Sequence, residues 1–261
     1  GGIADNDGVP TITSVEPGGP GIADNTVIEG NNLVYTVTLS NASTTPTSYA
    51  YSLGGGTASA ADYGTASFSN GVTYNPTTGQ VTVPAGVTSF TVTLPTTDDT
   101  LYEPGAAETV PLTIGGVAAT GGIADNELPP TLSVSNVSVV EDGGFAQFTL
   151  NLSGKSAVLT TVSLALANGS ATGGGVDFGA GSPSNLQVSV DGGATWSNAT
   201  SASFAPGDTS VLVRTPISND FVNEPTETFT LTASNASDTS KTATATSTTA
   251  ATVRISRSVT G

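Results

Sequence analysis

The 261-residue chain contains no cysteine and no histidine, and each absence limits its chemistry. Without cysteine the chain has neither a disulfide framework nor thiol chemistry. Without histidine it lacks the side chain most often used as a general base and as a transition-metal ligand. The sequence also has no long apolar run, so no membrane-spanning segment is predicted and we expect no direct insertion into a membrane.

Basic residues are scarce and unevenly placed. All five follow position 154, whereas residues 1–127 carry twelve acids and no base. Such a segment repels nucleic acid and anionic lipid, because binding either one needs Lys or Arg to displace counterions. The acids also repel one another, which the folded state tolerates if divalent cations neutralise them. The alternative is an acidic surface that is simply solvated.

Short runs of alternating apolar and polar residues fill the chain, separated by Gly, Pro, Asn and Asp, as in all-β proteins. The runs 33–39 and 90–94 show the alternation of half-buried antiparallel strands. Seven short strands in one half of the chain are typical of an immunoglobulin-like sandwich. The strands predicted there are 11–15, 33–39, 47–53, 80–83, 89–94, 109–114 and 117–123.

The hexapeptide Gly-Gly-Ile-Ala-Asp-Asn occurs at residues 1–6 and again at 121–126, each time shortly before a proline. A repeat at this spacing indicates a junction between whole domains, and its two glycines suggest a linker that lets them swing. The second half repeats the strand order, with strands predicted at 131–134, 137–140, 145–152, 161–167, 201–204, 210–217, 227–233 and 250–255. An Asp-Gly-Gly at 191–193 predicts a hairpin in it.

These patterns predict an all-β chain of two tandem immunoglobulin-like antiparallel β-sandwiches. Residues 1–9 would be a junction segment belonging to a preceding unit. Residues 10–127 would form the first sandwich with its closing linker, and residues 128–261 the second.

The acids of the first half fall mainly at one end of its predicted sandwich. Successive turns of an antiparallel sandwich alternate between two ends, or poles, so the first, third and fifth turns share a pole with the end of the last strand. The remaining turns contain no acid. So many clustered carboxylates would be destabilising without a cation. The predicted metal ligands at this pole are Glu29, Asp62, Asp98, Asp99, Glu103 and Asp125.

Calcium fits this set of ligands, because it takes roughly six to eight oxygen atoms and accepts carboxylates from separate loops. Magnesium prefers fewer protein ligands, and zinc would want histidine or cysteine. An EF-hand loop is excluded, since Asp5-Asn6-Asp7-Gly8 has its glycine two positions too early.

Several motifs resemble the Calx-beta domain. In the first half they are Val27-Ile28-Glu29-Gly30, Asp62-Tyr63, the segment 98–109 and Ile123-Ala124-Asp125. In the second half they are Val140-Glu141-Asp142-Gly143, Asp177-Phe178 and the segment 220–229. The resemblance implies that acidic loops at one pole bind calcium. For the second half it implies the ligands Glu141, Asp177, Asp220 and Glu224.

The second half departs from the motif in two places. Asn219 stands where the first half has Asp98, and residues 252–257 end this half without the closing acid that Asp125 supplies in the first. The second site is therefore predicted to be incomplete within the chain.

Tandem units of this kind also resemble the extender regions of bacterial RTX-type adhesins and other large surface proteins. The resemblance implies an extracellular location on a bacterial surface and calcium that stiffens the linkers. Asp5 and Asp7 would then reach the pole of a preceding unit, with neighbouring copies as partners in a head-to-tail array. The alternative is that the chain is an arbitrary fragment.

Three functional classes follow from these observations. The first is a structural surface module stiffened by calcium, and the second is a calcium-dependent module that binds glycans or proteins. The third, an enzyme, is disfavoured because the chain lacks histidine, cysteine, a nucleophile-elbow motif and a phosphate-binding loop. Paired carboxylates can hydrolyse glycosides, but here metal binding explains them better.

Overall fold

The computed structural model describes residues 8–19, 25–179, 186–220, 224–235 and 248–256. Apart from one 3₁₀ turn at Glu141–Gly143, the regular elements in these ranges are β-strands, which confirms the all-β prediction. None of the described residues forms a helix long and apolar enough to cross a membrane. Asp5 and Asp7, predicted as ligands, lie outside the described residues.

The chain divides into two compact units. One comprises Gly1–Asp99 with Ala106–Asn126, and the other comprises Thr100–Gly105 with Glu127–Gly261. The predicted boundary after residue 127 falls one residue beyond this division. The loop Thr100–Gly105 groups with the second unit, although in sequence it lies between two strands of the first.

The first unit is a sandwich of a four-stranded and a six-stranded sheet. The four-stranded sheet has the order β1 (Ile12–Pro17), β3 (Asn32–Leu39), β8 (Ser89–Pro95) and β5 (Ser67–Phe68). The six-stranded sheet has the order β2 (Thr26–Ile28), β11 (Val117–Ala124), β10 (Glu108–Ile114), β4 (Thr47–Leu53), β7 (Gln80–Val83) and β6 (Thr73–Asn75). Neighbouring strands are antiparallel except β2 and β11, which pair in parallel.

The second unit, in its described part, repeats this plan with two five-stranded sheets. One has the order β12 (Leu132–Val134), β14 (Phe145–Leu152), β20 (Ser210–Pro216), β17 (Gln187–Ser189) and β18 (Ser197–Asn198). The other has the order β13 (Val137–Val140), β22 (Thr248–Ser256), β21 (Glu227–Asn235), β16 (Thr160–Asn168) and β19 (Ser201–Phe204). The pair β13 and β22 is again parallel. Two short strands, β9 (Leu101–Tyr102) and β15 (Lys155–Ser156), form a parallel ladder of their own.

The predicted hairpin is confirmed, because β17 and β18 pair around the Asp-Gly-Gly turn. Asp191 holds this turn together by accepting hydrogen bonds from the Thr195 hydroxyl (2.6 Å), the Thr195 N–H (2.9 Å) and the Ser189 hydroxyl (2.7 Å). These bonds lower the pKa of the Asp191 carboxyl below its ordinary range, and the bond from the Thr195 hydroxyl has the largest effect.

Tyr35 joins the two sheets of the first unit. Its side chain is fully buried, and its hydroxyl donates a hydrogen bond to the Val110 carbonyl of β10 and accepts one from the Gly121 N–H of β11 (3.2 Å). Burial raises the pKa of Tyr35 to about 12. The ring therefore supplies apolar packing while its hydroxyl satisfies two buried backbone groups.

The two glycines of the junction motif lie within a strand, in agreement with the strand predicted at 117–123, so the expectation that they belong to a flexible linker was wrong. Gly121 and Gly122 belong to β11 and are buried. A Cβ at Gly121 would lie 2.8 Å from the Tyr35 hydroxyl and from Leu33, and one at Gly122 would lie 2.7 Å from the Thr26 hydroxyl. Glycine is used here because neighbouring side chains approach the backbone closely.

Candidate metal sites

The parallel pairing of β2 and β11 creates an acidic cluster at the first pole. Glu29 follows β2 and Asp125 follows β11, so both carboxylates leave the same edge of the sheet. The Glu29 N–H donates to the Ala124 carbonyl (3.0 Å), which extends the ladder to this point. Glu29, Asp125 and Glu127 each place one carboxylate oxygen within 4.8 Å of the other two.

Asn126 links this cluster to Asp98. Its side-chain amide donates to Asp98 Oδ1 (2.9 Å), and its backbone N–H donates to Glu29 Oε1 (3.3 Å). Gly30, which has a φ of +77°, lets the Asp98 side chain come close, since a Cβ there would lie 2.9 Å from Asp98 Cβ. Three of the predicted ligands, Glu29, Asp98 and Asp125, therefore lie together.

Asp62, Asp99 and Glu103, the other predicted ligands of the first half, do not belong to the cluster of Glu29, Asp125 and Glu127. The Asp62 backbone is beside the loop after β8, because its carbonyl accepts from the Thr97 N–H (2.8 Å). Its carboxylate, however, accepts a hydrogen bond from the Ser59 N–H within its own turn. Asp99 is exposed, and Glu103 belongs to the loop that groups with the second unit.

Glu127 was not predicted as a ligand. The local signal was present, since Asp125-Asn126-Glu127 continues the junction motif with a second acid. The hexapeptide ends at Asn126, however, so the repeat does not include Glu127. Asn126 was not predicted either, because it is not an acid and contributes by orienting the carboxylates of Glu29 and Asp98.

At the second pole, all four predicted ligands line one small cavity together with Glu227. The cavity volume is about 10 Å³, which is about what one water molecule or one ion needs. The lining acids are Glu141, Asp177, Asp220, Glu224 and Glu227.

Three of these acids meet closely. Asp177, Glu224 and Glu227 each place one carboxylate oxygen within 4.8 Å of the other two. The Asp177 backbone carbonyl accepts from the Ser218 N–H (2.9 Å), and its Oδ2 accepts from the Thr172 N–H (2.6 Å), so both its backbone and its side chain are held. Glu227 is the first residue of β21, a position that sequence analysis treated only as part of the motif.

Desolvation and then mutual repulsion raise the pKa values of two acids at the second pole. The pKa of Glu224 is raised first by desolvation and then by the charges of Asp177, Asp220 and Glu141. The pKa of Glu227 is raised first by desolvation and then by Asp177 and Glu224. These carboxylates thus hold protons more tightly than they would in an unfolded chain, as expected where a positive charge would be favourable.

The raised pKa values predict a pH dependence of the calcium-free chain. The stability that Glu224 and Glu227 contribute is complete below the unfolded value of 4.5 and is lost as pH rises through their higher folded values. We therefore expect the free energy of unfolding in EDTA to increase when pH is lowered from neutrality toward 4.5, and to increase less in Glu227→Gln. Urea titrations at several pH values measure this. Asp208→Asn, which removes an exposed acid elsewhere, should keep the wild-type gain, and an equal gain in all three proteins would contradict the prediction.

The ladder of the second unit shows where its closing residue would fall. Ile255 pairs with Glu227 of β21, just as Ile123 pairs with Glu108 of β10. Ser256 is thus the equivalent of Ala124, and the equivalent of Asp125 is residue 257, outside the described residues. The three-acid cluster of the second pole forms from other segments, those carrying Asp177 and Glu224 and the start of β21.

The ligand chemistry of both clusters suits calcium. All the grouped atoms are carboxylate oxygens, and in each cluster one acid comes from a segment far in sequence from the other two. Calcium accepts such oxygen sets in irregular geometry, whereas zinc sites use mainly nitrogen and sulfur. The residues present therefore fit this cation.

The Calx-beta domain family matches residues 57–117 and 125–258, which is most of the chain. The chain belongs to the Calx-beta family. This assignment agrees with the tandem sandwiches and with the resemblance of the acidic motifs, and Calx-beta domains are a calcium-binding family. No curated protein matches the sequence.

Several solved structures are similar to this Calx-beta chain. The CBD12 fragment of CALX1.2 is 16% identical, with a TM-score of 0.31, over 86% of this chain and 82% of that one. The apo form of the Calx CBD1 domain is 18% identical, with a TM-score of 0.33, over 48% of this chain and 98% of that one. The CFA/I adhesin CfaE of enterotoxigenic E. coli is 9% identical, with a TM-score of 0.37, over 95% and 88%. With scores this low, the assignment rests on the family match.

Proposed function

We propose that this Calx-beta chain is a non-enzymatic, extracellular structural module, a tandem repeat of a bacterial surface adhesin or fibre that calcium stiffens. The observation that carries the proposal is the second pole, where five acids line a cavity of about 10 Å³ and three of their oxygens lie within 4.8 Å of one another. Carboxylates gathered this closely are favourable only with a cation or with bound protons.

The chain's own residues would hold the ion and order the backbone around it. At the first pole these are Glu29, Asp125 and Glu127, with Asn126 orienting Glu29 and Asp98. Because Asp125 and Glu127 lie directly after β11, holding them also fixes the path of the chain as it leaves the strand. Calcium, when bound, supplies the positive charge that lets these acids stay ionised side by side.

At the second pole, Asp177, Glu224 and Glu227 would bind the ion directly. Asp177 is already held by the Thr172 and Ser218 N–H groups, so it needs little rearrangement. Glu224 lies three residues before Glu227, the first residue of β21. Binding would therefore tie Asp177 to the start of β21.

A structural role agrees better with this placement than an enzymatic one. The clustered acids lie at the ends of the sandwiches, and sharing one cation would explain why each group lies together. The chain has no histidine or cysteine to supply a base or a nucleophile at neutral pH. The repeated units and the resemblance to adhesin extender regions support a place on a bacterial surface.

We expect Ca²⁺ to raise the melting temperature of the whole chain relative to EDTA, because an ion that binds only the folded state stabilises it by mass action. Asp125→Asn and Asp177→Asn should each remove about half of this rise, since the two clusters are independent. Calorimetry measures the shift, and small-angle scattering measures whether the maximum dimension becomes more sharply defined with calcium.

The matched control for that experiment is Asp208→Asn. Asp208 is an exposed acid in the turn before β20, at the opposite end of that strand from Ser218 and Asp177. This substitution changes net charge by the same amount but should leave the calcium-induced rise intact. The proposal fails if calcium changes neither the melting temperature nor the scattering of the wild-type chain.

One feature favours a second candidate, the binding of an uncharged glycan. A groove of about 430 Å³ in the first unit is lined by the packed rings of Tyr51, Phe68 and Tyr74, and none of its lining residues is charged. Aromatic faces with hydroxyl groups suit sugars, and the negative net charge of the chain disfavours anionic ligands. A glycan array probed with and without calcium separates the two candidates, because specific hits would favour the binding module.

A further inference from the structure

The turn between β14 and β16 accepts a short strand in the second unit. There β15 pairs in parallel with β9, so that Lys155 is opposite Leu101 and Ser156 is opposite Tyr102. The N–H of Ala157 donates to the Tyr102 carbonyl (2.9 Å). Within residues 152–158, the second-unit edge, the stretch Lys155–Ala157 is thus paired with a two-residue strand from the loop Thr100–Gly105.

The first unit has the same edge at residues 39–45. Leu39 and Leu152 end the equivalent strands β3 and β14, and Ser43 aligns with Ser156 four residues later. Two hydrogen bonds that shape the first-unit edge have direct equivalents in the second-unit edge. In the first-unit edge, the Gly86 N–H donates to the Ser43 carbonyl (2.9 Å) and the Thr45 N–H donates to Ser43 Oγ (3.2 Å). In the second-unit edge, the Gly207 N–H donates to the Ser156 carbonyl (2.9 Å) and the Val158 N–H donates to Ser156 Oγ (3.3 Å).

The first-unit edge differs in its contacts, since the Asn41 amide donates to the Gly8 carbonyl (3.0 Å) and the aligned residue of the second unit is Gly154. Thr44 occupies the place of Ala157, and among the described residues no atom accepts its N–H and no strand pairs with Ala42–Ser43. Ala42 and Thr44 are exposed. An exposed edge that is preformed in this way is a template for another strand.

We propose that the first-unit edge accepts a short parallel strand from a second copy of this chain. A second copy is the occupant because the second-unit edge shows what fits: a segment framed by Asp99 and Glu103-Pro104. The sequence repeats this frame at Asp220 and Glu224-Pro225, so every copy carries a second segment with the same flanking residues. The contact uses backbone groups and none of the clustered carboxylates, and so extends the proposed function without depending on calcium.

The first test is self-association of the intact chain, measured by sedimentation velocity over a range of concentrations. We expect the wild type and Thr44→Ala, which keeps the N–H, to associate as concentration rises. Thr44→Pro, which removes the N–H, should weaken association about tenfold, since the loss of one backbone hydrogen bond in such a small contact is worth about a factor of ten. Equal association of Thr44→Pro and Thr44→Ala, or none in the wild type, would overturn the proposal. Asp125→Asn should associate like the wild type, which separates this result from failure of the calcium sites.

The second test keeps the proposal falsifiable if Thr44→Pro misfolds. Since the chain has no cysteine, a peptide of residues 97–106 carrying Leu101→Cys reports proximity through disulfide formation with a single cysteine placed in the chain. Ala42→Cys should trap the peptide several-fold faster than Lys155→Cys, whose edge is already filled by β9. Equal trapping rates would refute the proposal. A peptide with proline at both 101 and 102 should give no preference.

Discussion

Replacing Phe229 with alanine is expected to lower the free energy of unfolding of the second unit by about 3–5 kcal/mol. Phe229 is fully buried in β21 and stacks on Phe178, with ring centroids 4.0 Å apart and planes 11° from parallel. Phe148 meets it edge-on at 6.4 Å. Truncation therefore removes two ring contacts and leaves a cavity between them. Denaturant titration followed at the single tryptophan, Trp196, measures the loss.

The same substitution should abolish the calcium response of the second pole, although it removes no carboxylate. Phe178 directly follows Asp177, and Phe229 lies two residues after Glu227. The stacked rings thus fix the backbone that carries two of the three clustered acids. When the stack is lost, those carboxylates are no longer held at the spacing a cation needs, and the calcium-induced rise in melting temperature should fall by about half.

Phe204→Ala is the matched control for this prediction. Phe204 is equally buried but ends β19, beside the turn that leads to β20 at the opposite pole. We expect a similar destabilisation, about 3–5 kcal/mol, with the calcium response retained. If both variants lose the response, or if Phe229→Ala keeps it, the stacked rings do not position the site.

Most of the strands could be predicted because apolar and polar residues alternate along a strand that is buried on one face. β3 alternates between buried positions such as Leu33, Tyr35 and Val37 and partly exposed Thr side chains, and β14 and β20 do the same. The short strands β5, β6 and β9 could not be predicted. Two or three residues do not establish a period, and their pairing is decided by neighbouring strands rather than by local preference.

The poles could be predicted, but the membership of each cluster could not. The alternation of turns between the two poles identifies the end of the sandwich that a residue occupies, and all four predicted acids of the second unit do line one cavity. This alternation does not give the direction of a side chain. It therefore groups Asp62 with Glu29, although the Asp62 carboxylate accepts a hydrogen bond within its own turn. The parallel pairing of β2 with β11, which brings Glu29 to Asp125, depends on three residues with no distinct sequence signal.

The junction motif shows how a correct pattern led to a wrong mechanism. Two adjacent glycines next to proline are typical of flexible linkers, and composition alone does not distinguish this use from close packing. The structure places Gly121 against Leu33 and Tyr35, so the residue allows a side chain to reach the backbone. The two mechanisms predict different results for a larger residue at this position.

Gly121→Val is therefore expected to destabilise the first unit by about 3 kcal/mol, and Gly121→Ala by about 1 kcal/mol. A Cβ at this position would lie 2.8 Å from both Leu33 and the Tyr35 hydroxyl, and valine adds two more methyl groups to the same space. The strain would act where the Tyr35 hydroxyl accepts the Gly121 N–H, three residues before Ala124 and the clustered Asp125. Denaturant titration of each variant measures the series.

Gly8→Val supplies the control, because no atom of the described residues lies within 4 Å of a Cβ built at Gly8. Its free energy of unfolding should stay within about 0.5 kcal/mol of the wild type. If Gly121→Val behaved like Gly8→Val, the motif would be a flexible linker after all. A graded loss from alanine to valine would instead mean that the glycines serve packing, and that the order of the chain at the first pole comes from β11 and its acids.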